Sequence, residues 1–352
     1  MKVFTYKECT IHIGNDVLEL LLQELIANDY SRVFVLADDH TEKYCLPVLK
    51  NYLLQFHLLK IPSGEKNKTL AHCEQVWNEM LTHEADRKSV LINLGGGMVS
   101  DLGGLCASLY KRGIDFIQVP TTLLAMVDAS VGGKTGVDFA HAKNMIGTFK
   151  QPKYIYIHPR FLNTLPEQEW VNGYAEIVKH GLVADKKYWE KVLSAPLQNR
   201  NELINLIPGS VKIKLSVIKN DTFEKGERKL LNFGHTIGHA LEAYSLKHDS
   251  KPLKHGEAVA IGMVCEAYLS KLNAGLSNKE LKQITDVLSA HFPKYSLRSI
   301  LTPELTRLMR NDKKNTNEKI NFTLLKKIGK GIIDQTCSEA QIAAALNYYD
   351  AL

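Results

Sequence analysis

The chain has 352 residues, more than one hydrophobic core usually spans, so two domains are expected; with 45% hydrophobic and 23% charged residues it shows no disordered or collagenous bias. A formal net charge of +6, with Lys and Arg spread along the chain, argues against a nucleic-acid binder and suits a cluster of cations around an anionic metabolite. No run of about 18 apolar residues occurs, so no membrane span is expected.

The N-terminus has no long apolar core before its first acid, Glu8. Six cysteines (Cys9, Cys45, Cys73, Cys106, Cys265, Cys337) are scattered without a Cys-x-x-Cys pair. They predict small buried thiols in a reducing compartment, and a cytoplasmic location is the expectation.

Short β-branched runs at 32–37, 57–62, 89–94, 115–120 and 154–158 alternate with helical apolar spacing, clearest at 16–28 and 69–83. That alternation predicts a parallel, doubly wound sheet, with ligands at the carboxyl ends of its strands, where Asp38, Glu65 and Gly95 to Gly97 fall. Gly95-Gly96-Gly97-Met-Val-Ser100 follows a short apolar strand and opens a helix at Asp101, an arrangement suited to a pyrophosphate. Taken alone, it equally describes a tight strand-helix turn without a ligand. The acids Asp38 and Asp39 precede the glycines, whereas the usual ribose-binding acid follows them by about 20 residues, so the connectivity is not the ordinary one. Ser63-Gly64-Glu65-Lys-Asn-Lys68 offers a further acid and base, or simply a solvated helix start.

After Pro166 helical periods dominate, through residue 269, then 278–290 and 338–349. Pro152, Pro159 and Pro166 mark the connection, and the domains are placed at 1–155 and 156–352. In the second half Ala175-Glu176, Gly234-His235-Thr-Ile-Gly-His239 and His255-Gly256-Glu257 set ionisable groups beside small residues in apolar helices, where an unpaired charge is costly. Glu plus two His suits one divalent ion with positions open for substrate. His235 and His239, four apart, share a helix face, which also describes a helical His pair packed in a core; Thr236 rules out the His-Glu-x-x-His protease pattern. Cations at Lys134, Lys143, Lys179, Lys214, Arg228, Lys313 and Lys314 predict a substrate with two anionic ends, although any one of them alone is a solvated surface charge.

The motifs at 116–136, from Phe-Ile-Gln-Val-Pro-Thr to Gly-Gly-Lys134-Thr-Gly, then Lys143-Asn-Met-Ile-Gly, Leu230-Leu-Asn-Phe-Gly-His235-Thr-Ile-Gly-His239-Ala-Leu-Glu and His255-Gly-Glu-Ala-Val-Ala, together resemble the 3-dehydroquinate synthases, a family of sugar phosphate cyclases. The resemblance runs from Asp38 to about Gly331. It implies a Rossmann-like α/β N-terminal domain with a parallel sheet, followed by a mostly α-helical C-terminal domain. It further implies zinc, or cobalt, on Glu176, His235 and His255. NAD is implied over Gly95, Gly96, Gly97 and Asp101, with Asp38, Glu65, Lys68, Thr121, Thr122 and Lys143 as contacts. The substrate phosphate is implied on Lys134, Asn144, His239 and Lys313 or Lys314, with Arg112 arriving from a second subunit of a homodimer. Lys214, Arg228 and Asn232 match positions around a substrate carboxylate, and Asp128, Lys179 and Glu224 match polar positions that fix hydroxyls or the metal water. The implied reaction turns 3-deoxy-D-arabino-heptulosonate 7-phosphate, a phosphorylated keto-acid sugar, into 3-dehydroquinate and phosphate. Ser100, where many members carry Gly, Phe139-Ala-His141-Ala before Lys143, and Asp221-Thr-Phe223 depart from the family pattern. Another sugar phosphate cyclase, a metal-dependent polyol dehydrogenase of the same architecture and a non-enzymatic nucleotide-sensing module are the competing readings.

Overall fold

The structure is a computed structural model that describes residues 1–53, 55–140, 142–297, 300, 302–310 and 320–352. The chain divides into two compact units, Met1–Trp170 and Val171–Leu352.

The first unit is built on strands β1 (Lys2–Tyr6), β2 (Cys9–Ile13), β3 (Val33–Asp38), β4 (His57–Ile61), β5 (Val90–Gly95) and β6 (Asp115–Pro120), a separate hairpin of β7 (Lys134–Phe139) and β8 (Ala142–Phe149), and β9 (Tyr154–Ile157). The sheet order is β1-β2-β9-β6-β5-β3-β4. All its neighbours pair in parallel except the β1–β2 hairpin. β5 is buried along its whole length, as a central parallel strand covered on both faces must be, which is why Val-Leu-Ile-Asn-Leu-Gly shows no polar alternation. On one face Phe34, Leu36, Leu59, Leu91 and Phe116 pack against Val76 and Met80 of the Leu70–Thr82 helix and Leu102 and Leu105 of the Gly97–Leu109 helix.

The first unit thus has the doubly wound parallel sheet that the alternation predicts. Two features differ from the sequence reading. The antiparallel pair β1–β2 at one edge has no counterpart in the predicted elements, and neither has the β7–β8 hairpin that follows Gly132-Gly133.

Among its described residues the secondary structure of the second unit is helical apart from one hairpin, β10 (Asn321–Lys327) with β11 (Lys330–Thr336), turned at Gly329 with φ +81°. Its buried core includes Ile207, Val211, Leu241, Val259, Met263 and Leu269. Among the described residues no helix is long and apolar enough to cross a membrane. All six cysteines are free thiols, five of them buried, as their scatter predicts.

Candidate functional site

Three helices of the second unit bring the candidate metal ligands together: Glu167–Ala184, His235–His248 and His255–Asn273. Glycines let their backbones approach. A Cβ at Gly238 would lie 2.9 Å from the Ala258 carbonyl oxygen, and one at Gly256 would lie 2.7 Å from the Asn172 Cα. At that second contact the Gly256 N–H donates to Asn172 Oδ1 at 2.6 Å, fixing the start of the His255 helix on the helix that carries Glu176.

Glu176 is fully buried, and Lys179, one turn on, pairs with its Oε2. Its Oε1 faces His235 Nε2 at 3.6 Å and His255 Nε2 at 3.8 Å. Tetrahedral ligands about 2.1 Å from one ion stand about 3.4 Å apart, so each imidazole stands from Glu176 Oε1 at close to the spacing of two ligands on one ion. Both imidazoles are oriented from behind. His235 Nδ1–H donates to the Phe233 carbonyl at 3.1 Å, and His255 Nδ1 faces Glu242 Oε2 at 3.4 Å, leaving each Nε2 lone pair turned toward Glu176. The third imidazole, His239, has a ring centroid 5.1 Å from that of His235 and 5.7 Å from that of His255. Among the described residues neither Glu176 oxygen is satisfied by a hydrogen bond. Oε2 has the Lys179 ammonium, so it is Oε1, the buried oxygen facing both imidazoles, that a further cation fits.

Lys179, Lys214 and Arg228 are buried cations of the second unit. The Arg228 guanidinium donates to the Thr222 carbonyl at 2.6 Å, and Asn232 Nδ2 donates to Glu224 Oε1 at 2.8 Å. Asp221 organises the segment carrying Glu224 and Arg228 by accepting from the N–H groups of Lys225, Gly226 and Arg228 at 2.9, 2.7 and 3.1 Å. Partial burial pushes its carboxyl up, but those backbone donors and the Arg228 charge outweigh it and hold the pKa below the usual carboxylate value.

In the first unit the glycine loop lies between β5 and the Gly97–Leu109 helix. A Cβ at Gly95 would lie 2.5 Å from Val99 Cγ2 and one at Gly96 3.0 Å from Thr122 Cγ2, so the turn closes on its own helix only with glycine. The Thr121 N–H donates to the Gly95 carbonyl at 3.0 Å, joining the ends of β5 and β6. Asp128 sits in a single π-helical turn, Ala125–Ala129. Asp38 ends β3 and accepts from the Thr41 N–H at 2.8 Å, so its carboxylate caps the following Asp39–Tyr44 helix.

Lys68 is buried, and its ammonium donates to Asp101 Oδ2 at 2.7 Å and Asn144 Oδ1 at 2.6 Å, with Glu65 at 3.5 Å. Burial alone would lower its pKa; Asp101 and Glu65 more than offset that and raise it above the ordinary lysine value. Asn144 takes φ +53°, its N–H held by Asp138 Oδ1 at 2.8 Å, while the Asp138 N–H returns to the Lys68 carbonyl at 2.9 Å. Lys134 and Arg112 are exposed, and Lys143 is half-buried. Lys313 and Lys314 lie outside the described residues.

The sequence reading assigned no role to Glu242, Glu266, Asn172 or Asp138, which orient the functional groups. Glu266 carried a usable signal: it is an acid inside the apolar run Ala258–Leu269, where a charge needs partners. Asn172 and Asp138 carried none, because their partners are distant in sequence or set by a hairpin.

Comparison with known proteins agrees with this architecture. The family model described as 3-dehydroquinate synthase N-terminal matches residues 58–172, and the one described as 3-dehydroquinate synthase C-terminal matches residues 173–315. A 3-dehydroquinate synthase of Parabacteroides distasonis is 38% identical over 346 residues, covering 97% of this chain and 98% of its own. One of Campylobacter jejuni is 40% identical over 350 residues, covering 96% and 99%. Among solved structures, 2-epi-5-epi-valiolone synthase from Streptomyces hygroscopicus, with NAD+ and Zn2+ bound, superposes with a TM-score of 0.84 at 26% identity, covering 100% of this chain and 98% of its own. A 2-deoxy-scyllo-inosose synthase superposes at 0.85 with 23% identity over 96% of each chain, sharing the fold. With both family models matched and such identity over nearly the whole length, the chain belongs to the 3-dehydroquinate synthase family.

Proposed function

We propose that this protein converts 3-deoxy-D-arabino-heptulosonate 7-phosphate into 3-dehydroquinate and phosphate, using NAD and a divalent metal, zinc or cobalt, held by Glu176, His235 and His255. One observation carries the reading: two imidazole Nε2 atoms face Oε1 of the fully buried Glu176 carboxylate, an oxygen with no hydrogen bond among the described residues. When bound, the ion supplies Lewis acidity to substrate oxygens and NAD takes and returns one hydride.

The chain's own residues bind, orient and neutralise. Lys214, Arg228 and Asn232 are assigned to the substrate carboxylate, an anion whose charge suits two buried cations. Lys134, Asn144, His239 and Lys313 or Lys314 are assigned to the phosphate, with Arg112 of a second copy completing it in a homodimer. Asp128, Lys179 and Glu224 are assigned to positions that would fix substrate hydroxyls or the metal water. Gly95, Gly96, Gly97, Asp101, Thr121, Thr122, Asp38, Glu65, Lys68 and Lys143 are assigned to NAD, residues 1–155 forming its domain and 156–352 the metal and substrate domain. A cytoplasmic location suits its free thiols. No side chain has to act as a strong base, because the departing phosphate can carry the proton and ring closure is governed by positioning.

The deciding experiment supplies purified protein with the heptulosonate phosphate, catalytic NAD and Zn2+, and follows phosphate, dehydroquinate and NADH. Dehydroquinate formed without net NADH is the expected result. Accumulating NADH would instead indicate a polyol dehydrogenase, and turnover only of a phosphosugar lacking the carboxylate would indicate a different cyclase.

A further inference from the structure

Glu266 lies on the same helix as His255, eleven residues further along, three turns and about 16 Å up the axis. It is completely buried. Its carboxylate accepts from the N–H of Gly234 at 2.6 Å on Oε2, and from those of Thr236 and Ile237 at 3.1 and 3.2 Å on Oε1. Those amides are the unsatisfied donors at the start of the His235–His248 helix. The residue at the cap position is Gly234, at φ +81°, and it has no side chain with which to cap. A side chain there is excluded by packing, since a Cβ would lie 2.8 Å from the Val259 carbonyl oxygen.

We infer that Glu266 is a positioning residue for the metal site: it caps the His235 helix from across the helix pair and so fixes His235 against His255. The inference rests on the reading of Glu176, His235 and His255 as metal ligands. Two features separate this role from generic stabilisation. The bonded amides of residues 234 and 236 flank His235 on either side, so the carboxylate holds the backbone on both sides of that ligand. In addition, one helix carries both the ligand His255 and the group that holds the other ligand, so the spacing of the two imidazoles is set by a single rigid element. A carboxylate is the suited acceptor, because it has two acceptor oxygens and its charge complements the helix N-terminus. An amide of the same shape would turn its NH2 toward one of the same N–H donors.

The test is Glu266→Gln in the full chain, with Co2+ as the probe. The expected result is a folded protein that retains NAD affinity, binds Co2+ 10- to 100-fold more weakly by chelator competition, and shows an altered visible cobalt spectrum, on the scale typical of groups that orient metal ligands. A folded variant with wild-type Co2+ affinity and spectrum overturns the role while leaving the metal site standing. Wild-type protein that takes up no Co2+ sinks the metal reading and the positioning role together. Should the variant fail to fold, amide exchange in the wild-type chain decides. Slower exchange at Gly234, Thr236 and Ile237 on Co2+ binding supports the inference; exchange at those amides indifferent to the metal refutes it.

Discussion

Asn172 meets residue 256 twice: its Oδ1 accepts from the Gly256 N–H at 2.6 Å, and its Cα stands 2.7 Å from where a Cβ on residue 256 would be. The position of His255 relative to Glu176 therefore depends on residue 256 having no side chain. Gly256→Ala forces the two helices apart, an overpacking change expected to cost about 2 kcal/mol in urea denaturation. Because the ligands move with their helices, metal affinity should fall by at least roughly tenfold in the same variant. Wild-type stability together with wild-type metal affinity would show that the contact does not set the site.

Glu176 and Lys179 form a buried ion pair one helical turn apart. Glu176→Leu leaves the Lys179 ammonium in the interior without that carboxylate, and a stranded charge of this kind costs about 3–5 kcal/mol. Glu176→Leu/Lys179→Met removes both charges and should recover most of the loss, although neither protein should hold metal. Guanidinium denaturation in excess chelator measures the difference. A single variant as stable as the double would mean that the lysine escapes to water.

Those helices were the legible part of the molecule. Glu176, the His235 to His239 motif and His255 stand out because an ionisable group set among small and apolar helical residues is buried at a cost that only a bound partner offsets. The strands β3 to β6 and β9 are plain β-branched runs. The β7–β8 hairpin was hidden by its glycines. Gly136 and Gly147 face one another across the ladder, where a Cβ on Gly136 would lie 2.9 Å from the Ile146 carbonyl oxygen. Close backbone approach selects glycine there, and glycine weakens any sequence signal for a strand. Glu266 went unassigned for a different reason: its partners are backbone amides, which nearly every residue possesses.

The Asp221 carboxyl has a folded pKa held below its ordinary value of about 3.9. A depressed carboxylate contributes stability that is present above the unfolded value and lost as pH falls through the folded one. Asp221→Asn should therefore loosen the segment from Lys225 to Arg228 at neutral pH. Losing about 1 kcal/mol of bonding should speed amide exchange there about fivefold over wild type. The ratio should fall toward one as pH drops through the folded pKa and the wild-type carboxyl becomes protonated too. A ratio unchanged with pH would exclude the carboxylate as the organiser of the segment.

Ser100 lies in the first turn of the helix that follows the glycine loop. The turn forms with serine, the Ser100 N–H donating to the Gly96 carbonyl at 3.0 Å and its own carbonyl accepting from Gln118 Nε2 at 3.0 Å. Its hydroxyl is buried and, among the described residues, has no hydrogen-bond partner. Ser100→Ala removes an unsatisfied buried group and favours the helix, so it should stabilise the protein by about 1 kcal/mol. Ser100→Gly also removes the hydroxyl but gives back about 1 kcal/mol in helix propensity, and should fall near wild type. NAD affinity should be unchanged in both, since the bonds that shape the turn use only the backbone of residue 100. Thermal denaturation and NAD titration check the pair. A destabilised Ser100→Ala would mean that an ordered internal water bonds the hydroxyl, making serine a structural requirement of this turn.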